Sequence, residues 1–220
     1  LSYMGFGGEG LQVRDILHVA DLYALVERQL ADLGRHAGCT YNVGGGRDLG
    51  LAGAVPLVVD PVSASLRGDP LLHPSALDAM RTELFPLADL VTPNLDEVRL
   101  PVGVEVVDSA TQRAAVRALH DLGPRWTLVK GGHLRESPTS PDLLFDGTEF
   151  HEFDARRIAT PHDHGAGDTL SAAIACALAQ GYPMPAAVAF GKAWVTECLR
   201  AAYPLGSGHG PVSALFRLGS

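Results

Sequence analysis

At 220 residues the chain can bury the core of one α/β domain, or of one domain plus a fragment. Its 46% apolar and 19% charged content is globular and excludes an intrinsically disordered chain. A formal net charge of −8, with lysine and arginine scattered, excludes a nucleic-acid surface, which needs clustered cations to release counterions.

Cys39, Cys176 and Cys198 stand far apart without metal-ligand spacing and read as reduced thiols of a cytoplasmic protein. The opening is glycine-rich and polar, so no signal peptide is expected. The longest apolar helical run, Leu170 to Ala179, is too short for a bilayer, and no membrane contact is expected.

In chain order, Asp21 to Leu33 predicts an amphipathic helix, and Gly44-Gly45-Gly46 reads as a turn rather than a phosphate loop. From Ala54 onward strands alternate with helices. Val55 to Val59 is a continuous apolar run ending at Asp60-Pro61, the pattern of a strand buried on both faces. Leu77, Met80, Leu84 and Leu87 give helical spacing to Pro74–Leu87, with proline suited to the first turn. Asp89 to Thr92 is a short strand stopped by Pro93, and Asn94-Leu95-Asp96-Glu97 opens a brief helix. Ser109 to Leu122 predicts a further helix, and Trp126 to Lys130 a strand broken by Gly131-Gly132.

Residues 142–153 predict a β-hairpin about Asp146-Gly147. Gly165-Ala166-Gly167-Asp168 then leads into the apolar helical run, and Ala186 to Tyr203 predicts the last helix before a glycine-rich tail. Such alternation predicts a mostly parallel sheet with helices on its faces. Ligands gather at the carboxyl ends of such strands, and Asp60, Asn94, Lys130 and the Gly165–Asp168 loop all fall there.

The glycine loop permits a tight turn, and the helix behind it adds unpaired amides and a positive dipole end. Together they form an anion site suited to a phosphoryl group in transfer. Asp168 would repel a bound phosphate, but it is well placed to take a proton from an attacking hydroxyl. Asp60 and Glu97 supply carboxylates and Asn94 a neutral oxygen, a donor set that suits Mg²⁺ through retained waters. On spacing alone, Asn94 as an N-cap with Glu97 as capping-box partner is the stronger reading. Lys130 either reaches a phosphate or is a solvated strand end. His133, His162 and His164 are given no catalytic role.

These residues stand in ordered motifs: Val58-Val59-Asp60-Pro61-Val62, Gly68-Asp69-Pro70-Leu71-Leu72, Thr92 to Glu97, Val129-Lys130-Gly131-Gly132-His133, His164 to Leu170 and Gly208-His209-Gly210-Pro211. Through them, residues 49–218 resemble the hydroxymethylpyrimidine and hydroxymethylpyrimidine-phosphate kinases of thiamine biosynthesis, within the ribokinase-like superfamily, and the overall wording resembles the actinobacterial branch. The resemblance implies an ATP- and Mg²⁺-dependent kinase of a small molecule, with a homodimer left open. It implies Asp168 as base and Gly165, Ala166 and Gly167 as the anion hole. Lys130 would lie near the nucleotide phosphates, as would Lys192 of the last helix. Asp60, Asn94 and Glu97 would serve the metal, mainly through water. Many pyrimidine kinases carry cysteine where this chain has Asp168, whereas sugar kinases of the superfamily carry aspartate, which leaves the substrate more open than the chemistry.

Residues 1–47 do not resemble the opening of that family. Gln12 to Leu22 and Tyr41 to Gly46 resemble a late portion of NAD-dependent nucleotide-sugar epimerases, without a Gly-x-Gly-x-x-Gly loop or a tyrosine–lysine pair. The chain is therefore expected to divide into residues 1–47, an atypical segment, and 48–220, a kinase core. A core whose first strands are replaced would bind nucleotide yet be impaired in transfer, because positioning supplies much of the catalysis. Another small-molecule kinase of the same superfamily is the remaining alternative.

Overall fold

Four of the five strands are short runs that proline or glycine ends within two residues. A computed structural model describes residues 56–63, 72–133 and 138–218; the expected features of residues 1–47, and Gly68 to Leu71, lie outside them. Strands β1 (Val58–Val59), β2 (Leu90–Val91) and β3 (Thr127–Val129) pair in parallel. The expected hairpin follows as β4 (Asp142–Phe145) and β5 (Phe150–Phe153): β4 runs antiparallel to β3, and β5 antiparallel to β4. The order is β1-β2-β3-β4-β5.

The helices are α1 (Pro74–Ala79), α2 (Leu95–Val102), α3 (Ser109–His120), α4 (Ala166–Ala179) and α5 (Met184–Arg200). The helix predicted over 74–87 changes its bonding on the way. It widens to a π-turn at Met80–Leu84, where the Phe85 N–H donates to the Met80 carbonyl, and tightens to a 3₁₀ turn at Phe85–Leu87. Pro86 has no N–H to give to Thr82, so regular α-helical bonding cannot pass through it.

Alternation along the strands divides the core in two. Val59, Val91, Val129, Leu143 and Phe145 pack with Leu95 and Val98 of α2 and Val116 and Leu119 of α3. Val58, Leu90, Leu128 and Leu144 face the other way, against Leu170 and Ile174 of α4 and Val188 and Val195 of α5. The parallel strands are thus covered on both faces, which is why they read as short apolar runs.

Helices α4 and α5 approach closely at Gly191. A Cβ there would fall 2.6 Å from Ile174 Cγ1 and 3.2 Å from the Leu170 carbonyl oxygen. Gly191→Ala is therefore expected to destabilise by about 1–3 kcal/mol through overpacking, read as a lower midpoint in urea with an unchanged slope. Cys198 is a buried free thiol, and among the described residues no helix is long and apolar enough to cross a membrane.

Candidate active site

The carboxyl ends of the parallel strands carry the site. Asp60 follows β1, Asn94 follows β2 and Lys130 follows β3; Asn94 and Lys130 extend the parallel register as a bridge, with the Lys130 N–H donating to the Pro93 carbonyl at 2.9 Å. The Lys130 ammonium donates to Asp60 Oδ1 at 2.9 Å and lies 4.0 Å from Glu97 Oε2. All three groups are buried: Asp60 is 5%, Glu97 4% and Lys130 9% exposed. Burial pulls the Lys130 pKa down, but Asp60 and then Glu97 outweigh it and hold the group above its ordinary value, so it stays an ammonium.

The glycine loop closes over this pair. Gly165 has φ +80°, a left-handed conformation open to glycine at little cost, and caps α4. A Cβ on Gly167 would sit 3.0 Å from Lys130 Nζ and 3.7 Å from Asp60 Oδ2, so the first turn of α4 rests directly against the ion pair. Asp168 is half-buried in that turn. Its charge raises the pKa of both Lys130 and Glu97, which places its carboxylate in their field. One expected member of the anion hole is engaged otherwise here: the Ala166 N–H donates to the Asp163 carbonyl at 3.1 Å.

The tail motif lies beside the loop. His164 donates its N–H to the Gly210 carbonyl at 3.2 Å, and the Val212 N–H donates to the His164 carbonyl at 3.1 Å. The Gly210 N–H donates to His162 Nδ1 at 3.0 Å, so His162, given no role from sequence, steadies the approach to the loop as an acceptor.

Asn94 and Glu97 form the capping box that their spacing favoured. Asn94 Oδ1 accepts the N–H groups of Asp96 and Glu97 at 2.9 Å, and Glu97 Oε2 accepts the Asn94 N–H at 2.7 Å. Burial pushes the Glu97 carboxyl up to about 7 against the opposing pull of Lys130, with Asp60 adding to the rise. A carboxyl raised in the folded state stabilises it fully below its ordinary value near 4.5, and that contribution is lost as pH rises through about 7. In the absence of nucleotide and divalent ions, wild type is expected to lose stability from pH 5 to 8. Glu97→Gln, which keeps an acceptor for the cap, is expected to flatten that slope, by on the order of 3 kcal/mol across the range. Parallel melting curves of the two proteins against pH check it.

Lys192, expected near the nucleotide phosphates, has its partners within the protein. Its ammonium donates to the Ser140 carbonyl at 2.6 Å, Ser140 Oγ at 3.1 Å and Asp142 Oδ2 at 2.7 Å. Three partners take up its three N–H donors. Asp142 Oδ1 in turn accepts the Gly131 N–H at 2.9 Å, so Lys192 fastens α5 to β4 and to the turn after Lys130. Magnesium was expected at Asp60, Asn94 and Glu97 mainly through water. Asp60 and Glu97 answer Lys130, Asn94 answers its own helix, and among the described residues no group of three His, Cys, Asp or Glu side chains could hold a metal ion. A directly ligated ion does not fit this donor set; contact through water remains, and no step is assigned to it.

Two residues of the cluster were not singled out from sequence. Ser171 and Thr92 are buried beside Asp60, with their hydroxyl oxygens 2.9 Å apart. A serine inside an alanine-rich helical run was the available signal.

A covered α/β sheet with a buried lysine–aspartate pair at its strand ends, under a glycine loop that opens a helix, defines a kinase fold of the ribokinase type. Solved pyridoxal kinases share it. The Staphylococcus aureus enzyme with AMP-PCP superposes with a TM-score of 0.72 at 26% identity, covering 88% of this chain and 73% of that one. An ADP complex from Bacillus subtilis gives 0.69 at 25% identity, covering 95% and 71%. The phosphomethylpyrimidine kinase family matches residues 48–213, and the chain belongs to it. A hydroxymethylpyrimidine/phosphomethylpyrimidine kinase of Mycobacterium bovis is 58% identical over 218 residues, covering 94% of this chain and 79% of the relative. An alignment that broad takes in part of residues 1–47, the segment expected to stand apart.

Proposed function

We propose that the protein transfers the terminal phosphoryl group of ATP to 4-amino-5-hydroxymethyl-2-methylpyrimidine, to its phosphate, or to both, as a cytoplasmic enzyme of thiamine biosynthesis. Asp168 accepts the proton of the attacking hydroxyl. The first-turn amides of α4 and its positive dipole end receive the transferring group. Lys130, fixed by Asp60, offsets charge on the nucleotide phosphates. The observation that carries this reading is the contact of Lys130 with the first turn of α4, because it sets a fixed cation beside an anion-binding helix end. Little covalent chemistry is asked of the protein in such a transfer; positioning and charge supply most of the acceleration.

Release of ADP in the presence of each pyrimidine tests the reading, and no release above the substrate-free rate with either one would overturn it. Pyridoxal belongs in the same panel, since the fold neighbours are pyridoxal kinases and Asp168 departs from the cysteine of many pyrimidine kinases. Tight ADP binding without turnover on any of the three would support an impaired chimeric chain. The division at residue 47 belongs to this proposal too, supported by the family match beginning at residue 48.

A further inference from the structure

Serine inside a helix commonly donates back to the carbonyl four residues earlier, which by itself says nothing about function. Ser171 does lie 3.1 Å from the Gly167 carbonyl oxygen, but its Oγ is equally 3.1 Å from Asp60 Oδ2 and 2.9 Å from Thr92 Oγ1. These partners come from three places: the first turn of α4, the end of β1 and the end of β2. The residue is 7% exposed, so water does not compete freely for the hydroxyl.

A hydroxyl has one proton and two lone pairs. The Gly167 carbonyl and the Asp60 carboxylate can only accept, so the Ser171 proton serves one or the other, or is shared between them. Thr92 can donate to Ser171, its other neighbour being the Val59 carbonyl at a longer 3.4 Å. Asp60 is then held from both sides, Oδ1 by Lys130 and Oδ2 by Ser171. A hydrogen bond to the Gly167 carbonyl also polarises the same peptide unit's N–H, that of Asp168, one of the amides aimed at the anion site.

We propose that Ser171 is a positioning residue for phosphoryl transfer. Its hydroxyl ties the Asp60–Lys130 pair to the first turn of α4, so that the cation and the loop bearing Asp168 hold one geometry. The inference rests on the kinase reading for its catalytic consequence but not for the tie itself.

Two measurements on the full chain separate those layers. Hydrogen exchange of a peptide spanning residues 164–174 reads the tie without substrate. Ser171→Ala is expected to speed its exchange about tenfold, the loss of one hydrogen bond to a charged group, while leaving the α3 peptide unchanged. Asp60→Asn should loosen the same peptide, and Ser171→Thr, which restores a hydroxyl, should bring it back. Unchanged exchange in Ser171→Ala, or loosening spread over the whole chain, overturns the tie.

Kinetics with the pyrimidine reads the consequence. Ser171→Ala is expected to lower kcat about tenfold with KM nearly unchanged, and to cost nothing further in an Asp60→Asn background. A rise in KM alone, or full additivity of the two variants, overturns the positioning role. A wild type inactive on both pyrimidines overturns the kinase reading, and the exchange measurement still decides the tie.

Discussion

Asp168→Asn is expected to lower kcat by about 10³-fold while leaving the binding of ATP and pyrimidine nearly intact, since general-base catalysis contributes roughly 10²–10⁴. Asparagine keeps the size and most of the hydrogen-bonding shape of the side chain but cannot take a proton. The first turn of α4 would also lose a negative charge at a positive helix end, worth only about 0.3–1 kcal/mol. Stability should therefore hardly move, and the loss should appear in turnover. Steady-state rates beside a melting curve check this directly. Wild-type turnover in the variant would remove Asp168 from the role of base, and a collapse in melting temperature would make it structural.

Lys130→Met is expected to be the most destabilising single change in the site. It removes the cation from two carboxylates that are 5% and 4% exposed. Breaking a buried pair in this way costs about 3–5 kcal/mol, because the carboxylates keep neutral hydrogen-bond donors but lose their counter-charge away from water. For a chain of this size that corresponds to a fall of roughly 10 °C in Tm. The double variant Asp60→Asn/Lys130→Met should recover part of the stability, having removed one stranded charge, and none of the activity. Differential scanning calorimetry of the single and double variants tests both halves. A single variant melting with wild type would mean that the pair contributes nothing to the fold.

The outline of the site was readable because it depends on local order along the chain. Asp60, Asn94 and Lys130 each follow a short apolar run, and parallel strands bring their carboxyl ends to one edge of a sheet. Asn94 and Glu97 are three residues apart, so their capping box is a local property, visible before folding. Gly165–Asp168 announces a tight turn into a helix by composition alone. The π-turn at Met80–Leu84 was legible in principle from Pro86, which withholds one N–H from the helix. Lys192 was different. Only the family resemblance implied a nucleotide contact for it, and its partners Ser140 and Asp142 lie 52 and 50 residues away, brought to it by packing of α5 on β4.

The sequence by itself determined the class of fold, the order of the elements and the identity of the loop, because hydrophobic period, proline and glycine act on near neighbours. The tertiary structure alone decided which charges meet. Lys130 joins Asp60 across 70 residues and Ser171 joins Asp60 across 111. Such pairs leave no periodic trace, because a buried ion takes its partner from whichever strand end lies within about 3 Å of it, whatever the distance along the chain.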